Sequence, residues 1–380
     1  MIISCGGDES PSNPSPPTPT PDITLSVADG ITTEGNMLSF QLNMSSASTE
    51  DISVTYSVNG ITAQPGVDFE AETNSVTIDA GQRTGEIQIL TLDDTINELQ
   101  ERITIELTDA GIASIDGRAA QGIIRDNDTS DVEGDYTTPT SHFGYNLSWS
   151  DEFDEVIDPD SYTFEAGDGC PDLCGWGNNE LQIYTEENAF IRDGSLVIRA
   201  DRNGGVFESA RMITKGKREF SLGRIDVRAK LPEGQGLWPA IWMLGSNIDE
   251  VGWPNCGEID IMELVGHEPE EVHGTAHWGP PGRSFSDFKT GTKTESNKFS
   301  EEYHVFTLLW EQDLLVWYLD EEEFFRITPS DVTSTAYPFN GSFFFIFNVA
   351  VGGNWPGNPD ATTVFPQEME IDYIRVFQEQ

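Results

Sequence analysis

Between Gly257 and Gly266 the chain reads G-E-I-D-I-M-E-L-V-G, which sets three acids, Glu258, Asp260 and Glu263, among apolar residues. In a strand, alternate side chains share a face, so Glu258 and Asp260 point one way while Ile259 and Ile261 point the other. Glu263, five positions from Glu258, falls on the wrong face of a regular strand. One extra residue around Ile261–Met262, a β-bulge, returns it to the side of the other two. Carboxylates this crowded raise at least one pKa and favour a shared proton. A carboxylic acid that keeps its proton beside an ionised carboxylate is the equipment of glycoside hydrolysis. A calcium site or a solvated acidic edge draws on the same residue types. Four indoles accompany the acids: Trp238, Trp242, Trp253 and Trp278. Aromatic faces cover the C–H faces of sugars without demanding hydrogen bonds, and they fill cores equally well. Trp238 and Trp242, four apart, share a face of a strand. His277 stands two strand steps from His273 and either hydrogen-bonds the carboxyl that serves as acid/base, or a sugar, or is a core histidine.

The elements that must position these groups read as strands. S-L-V-I-R-A, R-I-D-V-R-A-K-L, V-H-G-T-A-H-W, H-V-F-T-L-L-W, L-L-V-W-Y-L-D and S-F-F-F-I-F-N-V-A-V follow one another with no long helical period. From Ile23 to Asp128 the runs are shorter, among them M-L-S-F-Q-L, I-S-V-T-Y-S-V and R-I-T-I-E-L, punctuated by Gly, Asn and Asp. That pattern predicts a separate antiparallel β-sandwich. The chain is therefore read as all-β, with a tail and spacer over 1–22, a small sandwich over 23–128, a linker over 129–141 and a larger domain over 142–380. Its 380 residues are enough for two full cores.

With 66 acidic and 20 basic side chains the formal net charge is −46. Such a surface repels nucleic-acid phosphates, anionic lipid and sulfated polysaccharides, which favours a neutral glycan partner. No stretch is long and apolar enough for a transmembrane helix. Of the four cysteines, Cys170 and Cys174 are spaced to pair across a short loop, and Cys256 reads as a buried thiol beside the acids. Nothing indicates oligomerisation, and the chain is read as a monomer. I-I-S-C-G-G resembles the end of a bacterial lipoprotein signal, with Cys5 the lipidated residue, and the Ser/Pro/Thr-rich stretch after it reads as a flexible spacer. This implies an extracellular or cell-surface protein held on a tether.

L-W-P-A-I-W-M-L (Leu237–Leu244), G-W-P-N-C-G-E-I-D-I-M-E-L-V-G (Gly252–Gly266) and H-G-T-A-H-W (His273–Trp278) together resemble the active-site block of glycoside hydrolase family 16, and within it the bacterial laminarinase branch. The resemblance runs from W-S-D-E-F-D (Trp149–Asp154) to I-D-Y-I-R-V-F (Ile371–Phe377). It implies a β-jelly-roll and a retaining endo-β-1,3-glucanase acting on β-glucan, with Glu258 as nucleophile, Glu263 as general acid/base and Asp260 between them. It also implies substrate contacts from Trp238, Trp242, Asn179 in the G-W-G-N-N-E-L-Q-I-Y-T loop, His277, Arg211, and Asn348 and Trp355 in F-N-V-A-V-G-G-N-W-P-G. Arg211 and Arg224 reach either substrate hydroxyls or the many acids. A structural Ca2+ is implied at Glu152, the Gly194 carbonyl and Asp372.

In the smaller domain Glu34-Gly35, Gly66-Val67-Asp68-Phe69, Asp93-Asp94, Glu98, Glu101 and Asp126-Asn127-Asp128 resemble the landmarks of a Calx-beta domain. That resemblance implies Ca2+ ligands among Glu34, Asp68, Asp93, Asp94, Glu98, Glu101, Asp126 and Asp128, since hard oxygen donors in clusters suit this ion. Three alternatives to the glucanase remain: a transglycosylase, in which a sugar instead of water takes the covalent intermediate, a galactan (agar-type) hydrolase with the same bulged acids, and a non-catalytic glycan-binding surface protein. Retention of all three acids argues against the last.

Overall fold

The computed structural model describes residues 23–71, 73–128 and 136–380. The lipoprotein-like tail with Cys5, the spacer and the first part of the linker lie outside the described residues. The chain divides into two compact units.

The smaller unit is built on a four-stranded and a five-stranded sheet. Strict alternation creates its core: in Met37–Met44 the side chains of Leu38, Phe40 and Leu42 are fully buried and those between them are not. Ile103, Ile105 and Leu107 do the same from Glu101–Asp109. The unit division assigns Ile61–Gln64 and Asp93–Glu101 to the larger unit, so the compact units do not follow a single cut in the sequence.

The larger unit contains two sheets of ten and eight strands. Its only α-helical element among the described residues is the single turn Ile248–Val251. The eight-stranded sheet carries the chemistry. We number its strands β1 (Thr163–Phe164), β2 (Arg211–Ile213), β3 (Glu219–Phe220), β4 (Leu237–Gly245), β5 (Glu258–Glu263), β6 (Glu271–Trp278), β7 (Asp287–Thr294) and β8 (Phe343–Val351). Their order is β1-β2-β8-β4-β5-β6-β7, with β3 also on β8. In the centre, Phe343, Phe345, Phe347, Val349 and Val351 of β8 join Leu237, Ile241 and Met243 of β4 in the main core. Phe344 and Ile346 form a second apolar patch with Leu244 and Cys256, against which Trp242 packs. Even-numbered positions of β4 and β8 therefore face away from the core and toward the site.

The linker ends earlier than its polar composition predicts. Thr138 donates its backbone N–H to the Tyr373 hydroxyl (2.8 Å), and its carbonyl accepts from Arg375 (2.7 Å). The Tyr136 carbonyl accepts from Arg228 (2.6 Å). Residues 136–138 thus belong to the larger unit. Polarity marked them as spacer because backbone groups, invisible in composition, hold them down.

Candidate active site

The bulge forms where the acid spacing requires it. Across β4 the register runs Leu244↔Glu258, Met243↔Ile259 and Trp242↔Asp260, then shifts so that Ile241 meets Met262 and Ala240 meets Glu263. On the other edge Asp260 faces Thr275 and Glu263 faces His273, three residues of β5 against two of β6. Ile261 and Met262 both turn into the core, 2% and 0% exposed, and bring Glu263 round to the side of Glu258 and Asp260. The pairing then lines up one row across the sheet: Arg211, Asn348, Ala240, Glu263, His273 and Thr292. A second row runs Leu244, Glu258, His277 and Phe288. Small Ala240 beside Glu263 leaves the acid unobstructed on that flank.

Indole N–H groups address both outer acids. Trp253 Nε1 donates to Glu258 Oε2 (2.7 Å), and Trp238 Nε1 donates to Glu263 Oε1 (2.9 Å). Asp260 is held from below, where Trp317 Nε1 donates to its backbone carbonyl (2.8 Å). Gly274 permits that approach: a Cβ there would lie 2.5 Å from Trp317 Cδ1. His277 Nε2 sits 3.3 Å from Asp260 Oδ2 and 3.8 Å from Glu258 Oε1, while Nδ1 is 2.8 Å from Ser286 Oγ. The histidine thus serves Asp260 and the first acid, not the expected acid/base. Trp355, 42% exposed, meets Trp238 edge-on at 5.5 Å.

Burial and the Asp260 charge push the Glu258 carboxyl up to about 7. The same two causes hold Glu263 well above the ordinary carboxylate value. Burial also raises Asp260, with His277 opposing it. At His277 burial disfavours the imidazolium, but the surrounding acids outweigh it and raise the pKa to about 9. One acid is thus set to keep its proton, and the imidazolium near Glu258 favours its ionised form.

Trp242 Nε1 donates to Asn348 Oδ1 (2.7 Å), Asn348 Nδ2 to the Tyr184 hydroxyl (3.1 Å), and that hydroxyl to Glu180 Oε2 (3.3 Å). Asn348 therefore orients Trp242 within a buried chain of polar groups. Arg211 pairs with Glu165 (2.5 Å) and lies between the rings of Trp176 and Trp242, at 4.6 and 4.9 Å. Asn179 is exposed, in a left-handed conformation, and donates to Asn354 Oδ1 (2.8 Å) beside Trp355. Glu165, Trp176, Glu180, Tyr184 and Ser286 escaped the sequence reading. Glu180 carried a signal, an acid within N-N-E-L-Q, and its hydrogen-bond partners Asn178, Gln182 and Tyr184 all lie within four residues of it.

Two alternatives left open by the sequence are decided. Trp278 points into the core, 4% exposed and edge-on to Phe339, because odd-numbered positions of β6 face the site. Arg224 lies on the other sheet and is spent on Asp226 and Glu321 (2.8 and 2.7 Å), far from any role with sugar hydroxyls. Cys170 and Cys174 form a disulfide, and Cys256 is a free buried thiol.

The residues expected to hold calcium in this unit are already matched. Glu152 accepts two hydrogen bonds from Arg375 (3.0 and 2.7 Å), and Asp372 accepts from Arg228 (2.8 Å). Gly194 sits in the turn between Ala189–Arg192 and Ser195–Asn203 with φ +80°. With a guanidinium on each carboxylate, the trio as placed does not fit a cation. Of the acids expected to bind calcium in the N-terminal domain, Glu34 and Asp68 are buried in the smaller unit. Asp93, Asp94, Glu98, Glu101, Asp126 and Asp128 fall in segments assigned to the larger one.

Residues 177–375 match the family described as glycosyl hydrolases family 16, and residues 32–128 match the Calx-beta domain. Residues 85–258 also match a family described as beta-glucan synthesis-associated protein SKN1/KRE6/Sbg1. The chain is 37% identical over 282 residues to the glucan endo-1,3-beta-glucosidase A1 of Niallia circulans, covering 67% of this chain and 41% of that protein. It is 36% identical over 252 residues to a beta-glucanase of Rhodothermus marinus, covering 61% of this chain and 85% of that one. The solved laminarinase catalytic domain of Thermotoga maritima superposes with a TM-score of 0.58 at 47% identity, over 62% of this chain and 99% of that domain. The chain spans only about a third to two fifths of the longer curated relatives it matches. With the bulged acids, the indole donors and the family match over the same residues, the chain belongs to the family 16 glycosyl hydrolases.

Proposed function

We propose that this protein is a retaining, endo-acting hydrolase of β-1,3-glucan. The observation that carries the reading is the bulge on β5, which aligns Glu263 with Glu258 and Asp260 and gives each outer acid its own indole donor. Glu258 attacks the anomeric carbon while Glu263 protonates the departing glycosidic oxygen; the C–O bond breaks and a glycosyl ester forms on Glu258. Glu263, now ionised, takes a proton from water, the water oxygen bonds to the anomeric carbon, and the ester bond to Glu258 breaks. The Asp260 charge raises both outer acids, and His277 Nε2 lies 3.3 Å from Asp260 Oδ2. Named glucanases and laminarinases among the similar proteins support the substrate. The test is sugar release from laminarin, mixed-linkage glucan and agarose, with the product anomer followed by NMR. Short β-anomeric oligosaccharides from laminarin are expected. Activity confined to agarose would transfer the mechanism to a galactan, and binding without release on all three would make the chain a lectin-like protein.

We also propose that the Calx-beta stretch, residues 32–128, binds Ca2+ through carboxylates from the set Glu34, Asp68, Asp93, Asp94, Glu98, Glu101, Asp126 and Asp128, a donor set of oxygen only that suits this ion. Calorimetric titration of the full chain with millimolar Ca2+, with and without Asp126→Asn and Asp128→Asn, reads it; no heat ends the idea. Lipid attachment at Cys5, and with it a cell-surface location, is inferred from I-I-S-C-G-G alone. Membrane partitioning that survives Cys5→Ala would reject it.

A further inference from the structure

A second group of potential ligands lies outside the catalytic trio. Glu271 and His273 are alternate residues of β6 and share a face. The turn before the strand closes through Glu271 N–H to the Glu268 carbonyl (3.0 Å) and brings Glu268 alongside. One ligand atom from each of Glu268, Glu271 and His273 falls within 4.8 Å of the others. His273 is 8% exposed, and its Nε2 is fully buried with no hydrogen bond. That nitrogen faces Glu271 Oε1 at 3.5 Å.

The neighbouring strand sets these groups in place. Thr292 Oγ1 lies 3.2 Å from His273 Nδ1, and Thr294 Oγ1 donates to Glu271 Oε2 (3.3 Å). In the tautomer that donates Nδ1–H to Thr292 Oγ1, the Nε2 lone pair is turned toward the carboxylates. The second oxygen of Glu271 is occupied, which leaves Oε1 for the same point. A histidine whose far nitrogen is fixed by a hydroxyl, and whose near nitrogen meets two carboxylates, has the layout of a metal ligand with its outer partner. A lone pair aimed at anionic oxygens repels them unless a cation stands between. Zinc–nitrogen and zinc–oxygen bonds of about 2.0–2.2 Å place tetrahedral neighbours about 3.4 Å apart, near the separation seen here. Glu268 is exposed and gives the ion a way in.

We propose that Glu268, Glu271 and His273 form a binding site for a divalent transition metal of the zinc type, with one imidazole and two carboxylates as ligands and the fourth position open. An imidazole in the set selects against calcium, which takes oxygen ligands. The proposal is independent of the glucanase reading.

The experiment titrates ZnCl2 into the chelator-treated full chain by calorimetry, in parallel with CaCl2. One saturable zinc site is expected, weakened at least ten-fold by His273→Gln and by Glu271→Gln. His277→Gln alters the other histidine–carboxylate group and is expected to leave binding intact. Melting curves of the metal-free variants check folding, and Glu268→Gln, at an exposed turn, supplies the same readout should a strand variant fail to fold. No saturable zinc binding, zinc binding unchanged in His273→Gln, zinc binding lost in His277→Gln, or calcium binding that His273→Gln weakens as much as it weakens zinc would each overturn the assignment.

Discussion

On the site face of the eight-stranded sheet, Glu258, Asp260 and Glu263 crowd together, and among the described residues their only ion pairs are to His277. On the ten-stranded sheet Asp226 is also buried, as is Glu321 in the turn between its strands Leu314–Leu319 and Glu322–Ile327, but Arg224 lies between them. Thr307 Oγ1 donates to Asp226 Oδ1 (2.9 Å), and His142 Nε2 is 3.4 Å from Asp226 Oδ2. Burial alone would raise Asp226 as it raises Glu258, Asp260 and Glu263. At Asp226, Arg224 and His142 outweigh burial and hold the carboxyl well below its ordinary range. At Glu263 nothing does, and the carboxyl stays well above it. A guanidinium turns buried acids into structure, and its absence leaves them with protons to give.

Glu258→Ala is expected to abolish turnover, with added azide restoring it as a glycosyl azide; full activity would remove Glu258 from the nucleophile role. Glu263→Gln is expected to lower kcat by about 10²–10⁴-fold, the usual worth of a general acid. The same change relieves a buried acid that binds its proton more tightly folded than unfolded. Such a group adds stability that falls as pH rises above the unfolded value of about 4.3. The variant should therefore melt higher than the parent at pH 8 and nearly equal to it at pH 4. A variant that melts lower at pH 8 would show that Glu263 is not crowded.

The opposite sheet gives the opposite result. Arg224→Gln strands two buried carboxylates and is expected to lose about 3–5 kcal/mol of stability in chemical denaturation, while kcat of the folded enzyme is kept. Loss of kcat at full stability would return Arg224 to the substrate. Because the Asp226 pKa is depressed, its contribution is present above the unfolded value of about 3.9 and disappears as pH falls below it.

A smaller effect concerns the cation beside the site. Glu258 must be ionised to attack, so kcat/KM should fall as pH drops through about 7. His277→Gln removes the positive charge that opposes protonation and should move that acidic limb to higher pH. An unmoved limb would mean that His277 acts on Asp260 alone. Smallest is Trp253→Phe, which deletes one hydrogen bond to a charged acid and should reduce kcat/KM by an amount equivalent to about 1.5–3 kcal/mol.

Much of this site was legible before folding was considered. The offsets among Glu258, Asp260 and Glu263 demand a bulge, and the register shifts at Ile261–Met262. Alternation within Leu237–Gly245 put Trp238 and Trp242 on one face, where they stand. Trp278 was open between sugar and core, and strand alternation decides it: a residue next to His277 takes the opposite face. Arg224 was ambiguous because an arginine declares its charge and not its partner. Trp253, five residues before Glu258, was visible as an aromatic neighbour, but its N–H donation depends on the path of Gly252–Gly257.

By itself, the sequence determined the all-β class, the bulge and the acids it gathers, since period-2 alternation and burial of apolar side chains are local properties of the chain. Only the tertiary structure decided which charges the acids meet. Glu180, Tyr184, Asn348 and Trp242 become one hydrogen-bonded chain, and Arg211 finds Glu165, through strands brought together from distant segments. Electrostatic environment depends on distances in space, and those distances exist only after the sheets have paired.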